Sequence, residues 1–380
     1  MALVYAGANL AAPLWPLYRV ELHLTNEALT IVFAAYTAGA LVALFLLGGL
    51  SDVVGRRPIL IASVAGTIAS SLLFAFAQDI AWLLAARFIQ GIAVGGISAS
   101  ANAALSDFAY RDDPRHPALA GSIATSAGFA IGPFSAGLFA DLAPRPTHTV
   151  FFFLCAFAIV ALIAVLRLPN SGRRPGAIYT GNRAAVPSSI RGPFVRAAFT
   201  FVVGWVGGAF FLALGPSIIA ALLGTSSHTV AGSTLLVFFT ASGAGQVIAR
   251  RFSARNTLRC GAVTVVAGLF LAAVATLLHS LPIFFLAITI AGASQGIALL
   301  GGLALLNAIA PAGERGSVLS AFFLCGYVGV TVCAPLLGWV ADAAGLNVAA
   351  ISFATLIVVS GTIAYIDLTR WRPAPVPSSA

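Results

Sequence analysis

Twelve apolar runs of about 20 residues, each closed by a short polar break, follow one another between residues 2 and 368. Each is long enough to cross the hydrocarbon core of a bilayer as a helix. Inside that core every backbone N–H and C=O must be paired, so such a chain folds as a bundle of spanning helices or as a closed barrel. Barrel strands alternate apolar and polar residues, and no such alternation occurs here. Of the 380 residues, 60% are hydrophobic and 8% charged. The reading is an all-α integral membrane protein with spans at 2–17, 28–50, 58–77, 81–106, 118–140 and 149–168, then 195–222, 229–249, 258–278, 282–309, 317–341 and 347–368.

The charges test this count. The net charge is +9, and all twenty basic residues are arginine. Seventeen fall in every second connection, on the face where the chain starts; Arg19 and Arg145 lie on the other face, and Arg87 lies within a span. Positive residues stay on the cytoplasmic side, which predicts cytoplasmic termini and makes the basic balance a matter of topology, with no nucleic-acid partner. The arginine-for-lysine bias, with much Ala and Gly, fits a high-GC bacterial genome and the inner membrane. The first run begins at Met1 without a basic segment ahead of it or a convincing cleavage site, so no signal peptide is expected.

Cys155, Cys260, Cys325 and Cys333 fall in or beside spans as small apolar packers. The five histidines sit at span ends or in loops, no cluster has metal-ligand spacing, and no phosphate-cradling loop occurs. No metal and no cofactor is expected.

Residues 169–193 hold Pro, Gly, Ser and Arg without apolar periodicity and read as a flexible linker. They separate a six-helix half at 1–168 from a second at 194–380, which ends in a short tail. The halves repeat. Gln90-Gly91-Ile92-Ala93 returns as Gln295-Gly296-Ile297-Ala298, and Asn102 as Asn307; Pro13 returns as Pro216, and Pro133, Gly137 and Asp141 as Pro335, Gly338 and Asp342. Parallel repeats of this kind place a binding site near mid-membrane between the halves.

The loop after the second span reads Gly48-Gly49-Leu50-Ser51-Asp52-Val53-Val54-Gly55-Arg56-Arg57-Pro58. It resembles the signature loop between helices 2 and 3 of the major facilitator superfamily, except that Val53 stands where that family usually carries a basic residue. The resemblance covers nearly the whole chain. It implies twelve helices in two pseudo-symmetric bundles that rock about a central site, and a contact of Asp52 with the start of helix 11 that closes the cytoplasmic side. Gly48, Asp52, Gly55, Arg56 and Arg57 would form that gate, joined by Asp107, Glu314 and Arg315; topology anchoring is the plainer role for these charges.

Arg87 lies about 12 Å inside the fourth span, counted from Asp79 at 1.5 Å per helical residue. Charge there is costly and should face a partner or a water-filled cavity. Arg87-Phe88-x-Gln90-Gly91 resembles the family's helix 4 motif, which implies a part in proton coupling, although no acidic residue lies in the middle of any span and helix 1 carries none. A structural or snorkelling arginine, or one that binds an anionic group of the substrate, is the alternative. Asp141 and Asp342, at the external ends of spans 5 and 11, are fallback proton carriers whose simpler role is helix capping. Gly128-x-x-x-Gly132-Pro133-x-x-Ala136-Gly137 resembles the helix 5 motif of the family's exporters, with Ala136 in place of glycine. It would pack against helix 8 and bend there; ordinary small-residue packing looks the same. Tyr36, Gln90, Asn102, Gln246, Gln295 and Asn307, with Asn9 beside them and Trp205 and Tyr327 as aromatic walls, are candidate pocket groups for a neutral or amphiphilic solute, or helix–helix glue.

The expected function is alternating-access transport of a small molecule across the lipid bilayer by a monomer, with efflux by proton antiport favoured and proton-coupled uptake of a sugar or metabolite as the rival. A polytopic membrane enzyme would need an acid–base or metal constellation that is not found, so no enzymatic activity is expected. Saturable counterflow exchange would exclude a channel.

Overall fold

The computed structural model describes residues 1–47, 50–107, 115–171, 185–213, 215–224, 227–311 and 314–371, and at some helical positions the backbone alone. The chain is helical almost throughout, without strands among the described residues. The first pass is broken into α1 (Ala2–Leu10), a 3-10 turn at Ala12–Leu14 and α2 (Trp15–Glu21). Pro13 and Pro16 explain the break, because proline lacks the N–H a helix interior needs. The second pass is α3 (Asn26–Leu47), followed by the short α4 (Leu50–Val54). Then come α5 (Arg56–Ala75), α6 (Ile80–Asp107), α7 (Arg115–Leu142) and α8 (Pro146–Leu166).

The second half repeats the plan. Its first pass is described as α9 (Arg191–Ala213) and α10 (Gly215–Leu223), and α11 (His228–Ala249), α12 (Ala254–Leu277), α13 (Leu281–Ile309), α14 (Arg315–Ala344) and α15 (Leu346–Arg370) follow. Ten of these helices are long and apolar enough to cross a membrane, and α3 adds a shorter apolar stretch at Ile31–Phe45. With the broken first pass, they account for the twelve spans, with ends within four residues of those expected. A 3-10 turn at Ser188–Ile190 and the start of α9 occupy the end of the segment expected to be linker, because Ile190 and Phe194 are buried against Leu306 and Phe322. Residues 172–184 of that segment lie outside the described residues.

Packing follows the repeat. In the first half α6 lies against α3 and α5, α5 against α8, and α1 against α7; in the second, α13 lies against α11 and α12, α12 against α15, and α9 against α14. Lipid tails are as apolar as leucine, so membrane helices associate through close packing of small residues. Gly91 of α6 sits on the backbone of Tyr36 and Ala40 in α3, and its repeat partner Gly296 of α13 sits on Ser242 in α11. Stacked aromatics fill the interior of each half, Phe74 on Phe151 at 4.9 Å and Phe201 on Phe322 at 4.2 Å. The outer faces are apolar too; Phe152, Phe153 and Phe157 of α8 are about half exposed, as a lipid-facing helix requires.

Two long seams join the halves, α7 with α11 and α3 with α14, and the turn at Ala12–Leu14 also touches α11. The α7–α11 seam is close along its length. Gly137 leaves no room for a Cβ beside the His228 backbone, and Gly232 meets the Pro133 carbonyl. Phe129 stacks on Phe239 at 5.1 Å, and Ser122 donates to Gln246 Oε1.

Candidate functional site

Among the described residues, Arg87 is the charge buried within a span, with only 3% of its surface exposed. Its partner is not a carboxylate. Because α1 stops at Leu10, the carbonyls of its last turn have no donors within the helix. Arg87 Nη1 donates to the Ala8 carbonyl at 2.8 Å, and Gln90 Nε2 donates to the Gly7 carbonyl at 2.7 Å. Arg87 Nη1 also donates to Gln90 Oε1 at 2.7 Å, so the two side chains act as one clamp on the end of α1. The guanidinium carbon lies 4.7 Å from the centre of the Trp15 ring and 5.7 Å from those of Tyr36 and Phe74. A helix C-terminus and aromatic faces both favour a cation, and here they replace the missing counter-ion. Arg87 Nε is buried without a hydrogen-bond partner. Nearby, Tyr5 and Ser98 share a hydroxyl–hydroxyl bond of 2.6 Å that ties α1 to α6.

The second half has no counterpart of this charge. Gly292 falls where the repeat would place the arginine and packs on the Phe238 backbone, while Gln295 approaches Gly208 of α9. Trp205 and Tyr327 lie together, with ring centres 5.4 Å apart and both side chains half-buried. Asn307 is exposed near the end of α13, and Gln246 is held by Ser122 in the α7–α11 seam.

At the arginine-poor end, Asp141 crosses between the halves. Its carboxylate accepts from the His228 N–H at 2.9 Å, the Thr229 N–H at 2.9 Å and the Ser227 hydroxyl, and pairs with His228 Nδ1 at 3.0 Å. It thus caps the first turn of α11, a helix in the other half, where free N–H groups and the helix dipole favour an anion. Asp342 occupies the related position at the end of α14 and is exposed.

At the arginine-rich end, Gly55 adopts a φ of 95°, a left-handed conformation that suits glycine. The turn it permits places Arg57 against the last turn of α8, where its guanidinium donates to the Leu166 carbonyl. Arg57 N donates to Asn170 Oδ1 at 3.3 Å, Asn170 Nδ2 to the Val54 carbonyl at 3.0 Å, and Arg56 N to the Ser171 carbonyl at 3.0 Å. The loop is therefore fastened to its own half. Glu314 is exposed at the start of α14 and its side chain makes no cap. Gly48 and the side chains of Asp52, Asn102, Asp107 and Arg315 lie outside the described residues, and with them the expected contact to helix 11.

The helix 5 motif divides its contacts. Gly128 and Gly132 face α1, at Ala2 and Ala6, whereas Pro133 and Gly137 face α11. Packing against helix 8 thus uses the second part of the motif. Sequence reasoning missed Trp15 and Phe74 around Arg87, Asn170 under the loop, and the Ser227–His228 end of α11. Ser227 did carry a signal, since serine ahead of a span is an N-cap residue, and its hydroxyl accepts from Val230 N at 3.4 Å.

Comparison with known proteins agrees with this architecture. The family model described as Major Facilitator Superfamily matches residues 1–249 and 197–380. The chain is 27% identical over 175 residues to Multidrug resistance protein 1 of Bacillus subtilis, which covers 46% of this chain and 44% of that protein. It is 28% identical over 298 residues to the Multidrug transporter MdfA of Escherichia coli O6:H1, covering 76% of this chain and 72% of the relative. The fold superimposes with a TM-score of 0.71, at 15% identity and over 98% of this chain and 96% of the other, on a bacterial homologue of the human lysosomal transporter Spinster in an inward-facing and unoccupied conformation. A multi-pass helical membrane architecture repeated in two halves, with a family match over the whole chain, has one reading: the chain belongs to the Major Facilitator Superfamily of membrane transporters.

Proposed function

We propose that the chain exports amphiphilic small molecules across the bacterial inner membrane by alternating access, in exchange for protons, as a monomer with both termini in the cytoplasm. The observation that carries this reading is Arg87. A guanidinium 3% exposed, held by backbone carbonyls and aromatic faces with no carboxylate among its contacts, is a fixed positive charge at the joint of the first helix. Such a charge disfavours a cationic solute beside it, and the exchanged proton must be carried by another group, for which Asp342 at the end of α14 is the remaining candidate. The relatives named Multidrug resistance protein 1 and Multidrug transporter MdfA support export over uptake. The arginine bias between the two ends supports the orientation.

In this reading Arg87 and Gln90 couple. Tyr36, Gln246, Gln295, Trp205 and Tyr327 contribute to a mildly polar pocket with Asn102 and Asn307. We assign Asp141 to the gate on the external side, since four donors already occupy its carboxylate. Asp52, Arg56 and Arg57 keep the expected part in the cytoplasmic gate, and no cofactor besides the proton gradient is needed. The test is accumulation of a panel of amphiphilic dyes in efflux-deficient cells making the protein. Accumulation that falls on expression, returns with a protonophore, and does not fall with Arg87→Ala is the expected result. A protonophore-insensitive effect, or gradient-driven uptake, would overturn the antiport reading.

A further inference from the structure

We infer that a groove between the start of α9 and the end of α15 binds the headgroup of an anionic phospholipid in the leaflet at the arginine-rich end. The groove is open, with a volume of about 580 Å³, and Arg191, Arg196 and Asp367 are its charged lining. Its apolar wall includes Val195, Phe199 and Ile363, which are 61%, 39% and 55% exposed. Arg196 is spoken for: its Nε pairs with Asp367 Oδ2 at 2.9 Å, and its guanidinium lies 5.6 Å from the Trp371 ring. Arg191 is exposed and makes no ion pair among the described residues. One cation of the rim is therefore left without a counter-charge, and Arg370 adds a further one at the same helix end. A tryptophan at this depth marks the membrane–water boundary, where headgroups lie.

Charge and shape together select the occupant. A phosphate with acyl chains places its anion against Arg191 and its chains along the apolar wall. A free phosphate gains nothing from that wall, and a net-neutral lipid gains less from the unpaired arginine. This inference rests on the groove and on the membrane setting, not on export.

The experiment is native mass spectrometry of the full chain in detergent, titrated with phosphatidylglycerol or with phosphatidylcholine of the same chains. One phosphatidylglycerol should be held, about fivefold more tightly than phosphatidylcholine, the effect of roughly one surface arginine. Arg191→Ala should lose that factor. Arg251→Ala, at an exposed arginine of the same end outside the groove, should not. Equal losses in the two variants would mean diffuse surface charge and overturn the site. Displacement of the lipid by excess glycerol phosphate would overturn it in favour of a small-phosphate site.

Discussion

Removing the Asp141 carboxylate should unlatch the arginine-poor end. Asp141→Ala deletes an acceptor of two backbone N–H groups, one hydroxyl and one imidazole, all from the other half. Loss of a helix N-cap costs about 1 kcal/mol. Loss of an anion at a helix N-terminus adds roughly 0.3–1 kcal/mol, and the imidazole pair adds up to about 1 kcal/mol where water screens it. About a quarter of the Asp141 side chain is exposed, 25% by area, so the lower part of these ranges applies. The sum is about 1.4 kcal/mol, and at 1.4 kcal/mol per decade this shifts the ratio of parted to joined ends by roughly tenfold. Asp141→Asn keeps one neutral acceptor and should shift it about fivefold, as expected for ~1 kcal/mol. The assay is a spin–spin distance between labels at Val20→Cys and Val348→Cys, exposed residues at that end of the first and last passes, in a background with the four native cysteines replaced. Growth of a long-distance population in the order wild type, Asn, Ala is expected. A distribution unchanged by Asp141→Ala in folded protein would show that the latch does not bias the two conformations, and the reasoning would fail.

Gly137→Ala should lower the melting temperature, because its Cβ meets the His228 backbone and overpacking costs about 1–3 kcal/mol. Its repeat partner should behave oppositely: Gly338→Ala meets no described atom within 4 Å and should be neutral or slightly stabilising by helix propensity, as thermal unfolding in detergent would report. Arg87→Lys keeps the charge but is shorter and loses the planar group over the Trp15 ring, so it should weaken the bonds that one guanidinium nitrogen makes to Ala8 and Gln90, destabilise by about 1–3 kcal/mol and reduce substrate-evoked proton flux in proteoliposomes. Asn170→Ala removes two of the four bonds that fasten the loop before α5 and should speed backbone hydrogen exchange at residues 54–57 by roughly tenfold, about 1.4 kcal/mol of lost protection, with exchange elsewhere unchanged.

The architecture was legible because bilayer physics leaves few options. Apolar length set the spans, arginine placement set their alternation, and the Gln90-Gly91 and Gln295-Gly296 echo located equivalent helix contacts. The site was legible only as a set of residue types. Arg87 stood out by its cost, yet its partners are the carbonyls of Gly7 and Ala8, and backbone groups leave no signature in a residue pattern. Those carbonyls are available because Pro13 breaks the first pass, a link between two distant motifs that exists only in three dimensions. Asp141 was read as a proton carrier or a cap. The cap it forms lies on another helix 87 residues away, which local capping rules do not search.

The two seams also bear on how such a chain changes over time. The same proline, glycine and aspartate recur in α7 and α14, but α7 is zipped to α11 while the glycine of α14 faces open space. A chain that carries two copies of one plan is free of the requirement that paired positions do the same job. Gly137 of α7 answers to the His228 backbone it touches, and its double Gly338 of α14 is released from that constraint while α14 packs on α3 and α9 elsewhere. Substitution tolerance measured in one half therefore does not transfer to the other by repeat alignment, and a saturation scan of α7 and α14 would show the duplication as two unlike profiles.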